Sequence, residues 1–434
     1  MVDFGEYQPF EDAEMIRPSI TVLQKGGRDR KLRLFKWLTS GHPPENLSEV
    51  ILSSPTMTVE HLSAAPWELE SDDARRLRQK LASAGQSLDE YCRGRILRGV
   101  LMGLTDVFVI SEAKRAELIA ADPRSADLIK PFVQGTHLRP FYIEVSDEYL
   151  LAIKSSANHN WPWSGAGDQA EAVFAKHYPA VHAHLDASRE RAIKRQDQGQ
   201  FWWELRACGY WDAFDQPKIM WPDISKLPRF SLDRSARCAG NTAYFVPGDD
   251  PYLLGILSSW TTWFYISKTA QPLRLRGNRW QYRLFTQSMS AIPIPAASDA
   301  DRHAIATFAE RSGVLALERY RLQSHVQRRL IESFGVSRDG QSLGTLNEKA
   351  QLWWGLALPA LGDALKSSFK LASNPLKNPR AADEWEPYLM ENRAKVESLT
   401  REIADVEAEL NDRVYRLFDL TVDEIKFLQR EAEH

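Results

Sequence analysis

Apolar and polar residues alternate in short runs over the first two thirds of the chain. Over the last third apolar residues recur every three or four positions. This predicts an α+β body followed by long helices. Residues 19–23 and 32–37 read as two strands around a turn at Gly26-Gly27. Two short strands are a marginal unit unless they join a larger sheet, so they read as the last strands of a domain that begins elsewhere. Residues 41–66, with Pro43, Pro44, Pro55 and Pro66, read as linker and short strand, and residues 72–84 as a surface helix charged on most faces. Residues 96–110 look like a β-hairpin bent at Gly99 and Gly103. Ser111 is placed to cap a helix reaching about Ala121. Asp122-Pro123 and Asp250-Pro251 each open a helix, with the Asp as N-cap and the Pro at the first helical position. The first of these is expected to end near residues 131–135. The second, about 252–268, is apolar almost all round and should be buried.

Further strands are expected within 141–153, 218–224 and 241–247, a polar loop at 155–168, and a helix over 169–194 broken near Pro179. Residues 299–334 carry helical spacing. Val396, Leu399, Ile403, Val406, Leu410, Val414 and Leu417 form the seam of a coiled-coil-like helix pair. Between these lie a packing element (352–355 and 365–369) and a basic loop (370–380), and Thr421 with Glu424 makes a capping box for the last helix. The divisions expected are 1–45, 46–295 and 296–434.

Composition narrows the class. The chain has 434 residues, 43% of them hydrophobic, and lacks an apolar run of membrane-spanning length, so a globular, cytoplasmic protein is expected. Cys92, Cys208 and Cys238 are too far apart for a disulfide framework or a zinc site. The net charge of -3 is unevenly spread: residues 383–434 hold 15 acidic and 7 basic side chains, and the rest of the chain 43 acidic against 48 basic. A mildly basic body with an acidic tail permits nucleic-acid binding without requiring it. None of the ten histidines, including His177, His182 and His184, has metal-ligand spacing to a carboxylate, so no metal is expected.

Residues 271–283 are the most informative string: Arg274, Arg276, Arg279 and Arg283 are interleaved with Asn278, Gln281, Trp280 and Tyr282, with no carboxylate among them. Arginine forks suit guanine O6/N7, and Asn or Gln amides suit adenine N6/N7. Arg274, Arg276, Asn278, Arg279 and Gln281 are therefore candidates for base edges. Arg283, Lys154, Arg191, Lys194 and Arg195 are candidates for phosphate. The plainer alternative is a solvated arginine-rich hairpin. Trp202 and Trp203 are better suited to a core than to base stacking, and Glu204 and Arg206 are placed to pair with each other or with neighbours.

An ordered set of segments carries a resemblance over nearly the whole chain. It comprises Val2 to Gly5 with Phe10 to Ala13, then 99–110, 122–132, 202–206 (WWELR), 218–224 (KIMWPDI), 241–247 (NTAYFVP) and 410–420. Together they resemble the C-terminal half of single-chain type II restriction-modification enzymes and the related adenine-specific DNA methyltransferases. That resemblance implies three parts: terminal strands of a methyltransferase-like sheet, a TaqI-like target recognition domain, and a helical tail. It implies double-stranded DNA as the ligand. The family's glycine-rich loop for S-adenosylmethionine and its Asn-Pro-Pro-Tyr motif have no counterpart here. The two Asn-Pro dipeptides, at Asn374 and Asn378, continue as Leu-Lys and Arg-Ala. Nor are there the spaced carboxylates and lysine of a restriction nuclease, and Met102 and Thr105 stand where the family more often has Thr and Asn. The expectation is a DNA-specificity module with no catalytic residues or cofactor of its own. S-adenosylmethionine would then belong to a methyltransferase catalytic domain or subunit. The alternatives are a split enzyme active only with its partner chain and a free-standing DNA-binding phage-defence protein.

Overall fold

The computed structural model describes residues 1–4, 19–22, 31–37, 45–58, 70–276, 279–337 and 340–432. It divides into two compact units, Met1–Ala306 with Asn411–His434, and Thr307–Leu410. Both divisions fall inside helices, Asp299–Phe334 and Pro379–Leu417. The expected mixture of small sheets and long C-terminal helices is present. No helix among the described residues is long and apolar enough to cross a membrane.

In the first unit two four-stranded sheets carry the body. One runs in the order Cys238–Ala239, Ile129–Val133, Glu148–Leu151, Val109–Ser111. The other runs Ser231–Asp233, Lys218–Pro222, Ala243–Pro247, Leu97–Arg98. Trp163, Phe174, Trp203, Phe214, Met220 and Phe245 belong to one apolar cluster beside them. Near the N-terminus, Val2–Asp3 lies between Ser19–Ile20, antiparallel, and Phe35–Lys36, parallel. The Gly26-Gly27 turn, residues 5–13, and Pro43, Pro44 and Pro66 lie outside the described residues.

Residues 96–110 do not form a hairpin. Leu97 pairs with Phe245 in one sheet and Val109 with Leu150 in the other, with a short helix, Thr105–Phe108, between. The divergence turns on Gly99, where a Cβ would lie 2.0 Å from the Gly240 carbonyl oxygen. Only glycine lets the two backbones pass this closely. The expected helix after Asp122 is a short 3-10 helix, Pro123–Leu128, and residues 129–133 form a strand instead. In it Ile129, Lys130 and Pro131 pair with Leu151, Leu150 and Tyr149.

The Asp72–Ser83 helix is not simply a surface element, because Ala74, Leu77 and Leu81 form a buried stripe at helical spacing. The caps at Ser111, Asp122 and Asp250 form as expected, and the 169–194 helix breaks at Pro179 and again before Arg189. The apolar helix after Asp250 is two helices, Pro251–Ser258 and Trp260–Thr269. Ser259 ends the first and caps the second by accepting from the Thr262 N–H at 3.2 Å. Residues 379–380, expected in a basic loop, already belong to the long helix Pro379–Leu417.

In the second unit Val326, Leu330, Trp353, Leu361, Leu365, Trp385 and Leu389 share a core. Trp353 donates its indole N–H to the Gln323 carbonyl at 3.2 Å, which lets a large ring be buried without stranding its polar atom.

Candidate functional site

The string at 271–283 forms an antiparallel hairpin, Gln271–Arg276 with Arg279–Arg283, and Ile224–Ser225 extends it to a three-stranded sheet on the Arg279–Arg283 side. The first strand is therefore an edge, the position in a sheet where a proline such as Pro272 is tolerated.

The register decides the chemistry. Gln271 lies across from Arg283 and Pro272 from Tyr282. The pairing then shifts, so that Arg274 faces Gln281 and Arg276 faces Arg279. Leu273 is the extra residue of a β-bulge. A one-residue slip moves every following side chain to the other face. In an unbulged ladder of the same sequence, Leu275 would share a face with Arg279. With the bulge, Arg274, Arg276, Arg279, Gln281 and Arg283 occupy one face, and Leu275, Trp280 and Tyr282 the other.

The apolar face is anchored. The Tyr282 ring meets Trp263 edge-on at 5.9 Å, and burial pushes the pKa of the Tyr282 hydroxyl up to about 12. Trp221 donates its indole N–H to the Leu284 carbonyl at 3.0 Å, and the Leu284 N–H donates to the Asp223 carbonyl at 2.8 Å.

On the polar face Arg274 and Arg276 are exposed, whereas Arg279, Gln281 and Arg283 are half-buried. The Arg274 Nε–H donates to Gln281 Oε1 at 2.8 Å. The Arg283 guanidinium sits 5.8 Å from the centre of the Phe285 ring. Among the described residues no carboxylate forms an ion pair with any of these four arginines. Asn278 lies outside the described residues.

Lys154, Arg191 and Arg195 are held by partners outside the hairpin. Lys154 is half-buried with its ammonium 5.7 Å from the centre of the Trp211 ring. Arg191 is exposed and paired with Asp106 at 2.8 Å, and Lys194 is exposed at the end of the same helix.

Arg195 is different: only 6% exposed, it donates to the Met102 carbonyl at 2.8 Å, to the Trp202 carbonyl at 2.9 Å and to that of Glu204. Its guanidinium also lies 4.1 Å from the Phe108 ring centre, and burial brings its pKa down to about 10. Its two terminal nitrogens are committed inside the fold, and its Nε is buried without a partner, where a phosphate has no access.

Neighbouring polar residues are likewise structural. Glu204 does not pair with Arg206, which binds Asp197 at 3.1 Å. Fully buried, Glu204 accepts from the Trp163 indole at 2.9 Å, from the Gln200 N–H at 2.9 Å and from the Ser156 N–H at 3.0 Å. Trp203 is core, stacked on Phe174 at 5.3 Å and on Phe201 at 4.8 Å.

The fold also supplies His182 with a carboxylate partner that spacing alone did not suggest: its Nε2 lies 3.1 Å from Glu171. With Asp186 these form a three-residue group of possible ligands. Arg189 already bonds both Glu171 and Asp186, however, and holds the Glu171 carboxyl down at about 2. The group is an ion-paired network.

A mixed α/β body presenting a one-sided cationic ribbon is thus the class of site defined here. Comparison with known proteins agrees: residues 130–294, which include the whole hairpin, match the family described as TaqI-like C-terminal specificity domain. Residues 298–414 match a domain of unknown function, DUF8810.

Two solved structures are similar to the chain. The type IIL restriction-modification enzyme MmeI in complex with DNA shares 13% identity over 78% of this chain and 35% of its own, with a TM-score of 0.41. The type IIG restriction endonuclease BpuSI shares 12% identity over 58% of this chain and 30% of its own, with a TM-score of 0.33. The chain therefore spans about a third of the length of each. No curated protein matches it.

Proposed function

We propose that this chain is the sequence-reading part of a restriction-modification system whose modification activity is N6-adenine DNA methylation. Residues 46–295 act as the target recognition domain and residues 296–434 as its helical tail. Residues 1–45 contribute strands to a methyltransferase-like sheet. S-adenosylmethionine and the methyl-transfer chemistry are supplied by a catalytic domain or subunit, since the motifs for both are missing from this sequence.

The observation that carries the reading is the arginine face of the 271–283 hairpin, which lies inside the segment matching a specificity domain. A two-stranded ribbon fits the major groove of B-DNA, where arginine and amide side chains meet distinct base edges. The chemistry of this face suits a duplex, because four arginines with no carboxylate partner among the described residues want anionic or acceptor-rich surroundings.

The test is binding of the full chain to a random duplex pool, followed by a methylation assay with and without a co-expressed methyltransferase partner. Enrichment of one sequence, and N6-methyladenine within it only when the partner is present, is the expected result. Failure to prefer any duplex overturns the reading. Methylation by the chain alone, or binding of S-adenosylmethionine by the chain alone in calorimetry, overturns the assignment of the chemistry to a partner.

A further inference from the structure

We infer that Arg274 reads a guanine and that Gln281 is the positioning residue that aims it, an assignment that rests on the proposed reading of DNA by this hairpin. Arg274 and Gln281 are direct cross-strand partners, brought onto one face by the bulge at Leu273. The Arg274 Nε–H donates to Gln281 Oε1 at 2.8 Å. An arginine nitrogen is only a donor, so the Gln281 amide must present its oxygen here and turn its NH2 group away.

Two consequences follow from that single bond. Arg274 has its Nε occupied, leaving the two terminal nitrogens as a parallel pair of donors, the arrangement that matches guanine O6 and N7. Gln281, conversely, has its oxygen engaged. To read adenine in bidentate fashion it would have to accept from the base with the oxygen that already serves Arg274, while its NH2 group donates beside it. Spacing alone allowed Gln281 to be an adenine reader, whereas its partner makes it part of an arginine site. Holding an otherwise mobile side chain in one orientation also lowers the ordering cost of binding.

The experiment is sequence selection from a random duplex pool by the full chain, repeated with Arg274→Ala, Gln281→Leu and Gln281→Glu. Each selected guanine is then replaced in turn by 7-deazaguanine, which lacks the N7 acceptor. For the wild type, one position should lose roughly 10- to 150-fold in affinity on replacement, the range of one hydrogen bond to a charged group. Arg274→Ala should abolish that penalty at that position alone. Gln281→Leu, which cannot accept a hydrogen bond and so no longer orients the guanidinium, should reduce it severalfold without abolishing it. Gln281→Glu, which can accept, should restore it even though its charge weakens binding overall.

An unchanged penalty in Arg274→Ala overturns the guanine assignment, and an unchanged penalty in Gln281→Leu overturns the positioning role. A changed preference at a different base pair in Gln281→Leu means that Gln281 touches a base itself, which also overturns it. If the wild type enriches no sequence, the DNA reading fails and this inference with it. If it enriches a sequence with no N7-sensitive guanine, only this inference fails.

Discussion

Arg276 and Arg279 stand directly across from each other at the end of the hairpin ladder, two like charges in register with no carboxylate paired to either among the described residues. Like charges directly opposite on a sheet are destabilising, by up to about 1 kcal/mol. Replacing one of them, as in Arg279→Thr, is expected to leave the free chain as stable or slightly more stable, while weakening its hold on duplex DNA. Thermal unfolding and a binding titration on the same preparation check both parts. A parallel loss of stability and binding would show that the pair supports the fold instead.

Arg276→Ala and Arg279→Ala should each weaken binding to the preferred sequence more than binding to an unrelated duplex. A base contact is worth about 1–3 kcal/mol of discrimination. Arg283→Ala should lower both alike and flatten the dependence of log K on log salt by about one unit, as a lost phosphate contact does. Titrations at several salt concentrations separate the two behaviours, and equal losses in all three variants would reassign Arg276 and Arg279 to the backbone.

Arg195 should behave in the opposite way. Its carbonyl partners on Met102, Trp202 and Glu204 are divided between its two terminal nitrogens, a fork that a single ammonium nitrogen does not reproduce. Arg195→Lys is expected to cost on the order of 2–4 kcal/mol of stability, from the carbonyls left unpaired. The salt slope of DNA binding should stay where it was. Denaturant titration reads the first, and a flattened slope would return Arg195 to the phosphate contacts.

Lys218 and Asp233 are both fully buried and paired at 2.8 Å, and Arg237 adds a second contact to Asp233 at 2.7 Å. Burial alone would raise the Asp233 pKa, but Lys218 and Arg237 hold it below the ordinary value. A depressed carboxylate contributes stability above its unfolded pKa of about 4, and that contribution is lost as pH falls through the lower folded value. Lys218→Met should cost about 3–5 kcal/mol at neutral pH, since it leaves a buried charge without its main partner. Asp233→Asn should destabilise at neutral pH and remove part of the acid sensitivity below about pH 4. An unaltered acid-unfolding curve would rule out this pair as a contributor.

Gly99 offers a purely steric test. Its missing Cβ would fall on backbone atoms of Gly240, which cannot move aside as a flexible side chain could. Gly99→Ala should cost on the order of 3 kcal/mol, measured by chemical denaturation. A near-neutral result would mean that the two backbones do not approach as closely as described.

Local chemistry made much of this fold legible. The caps at Ser111, Asp122 and Asp250, the break at Pro179 and the span of the Asp299–Phe334 helix all follow from residues a few positions apart. The arginines of the hairpin were equally visible, because a run without carboxylates stands out in any context.

What stayed hidden depends on distant partners. A lysine in a strand reads as solvent-facing until Asp233 is brought against Lys218, and Arg195 reads as surface until three carbonyls close around it. The bulge at Leu273 left no mark on the pattern either. The string Leu273 to Arg276 alternates well on its own, and only its pairing with the second strand shows which side the arginines take.

That supernumerary rung makes the ribbon's response to length changes lopsided. Losing the codon for Leu273 would straighten the ladder and still leave every arginine on its present side, because 274–276 would meet 279–281 in unbroken alternation. Gaining one codon between Gln281 and Tyr282 would straighten it too, but would turn Arg274, Arg276 and Arg279 toward the side that Tyr282 holds. Two events of equal size at the same place would thus have opposite fates, one trimming a kink and the other turning the cationic surface inside out.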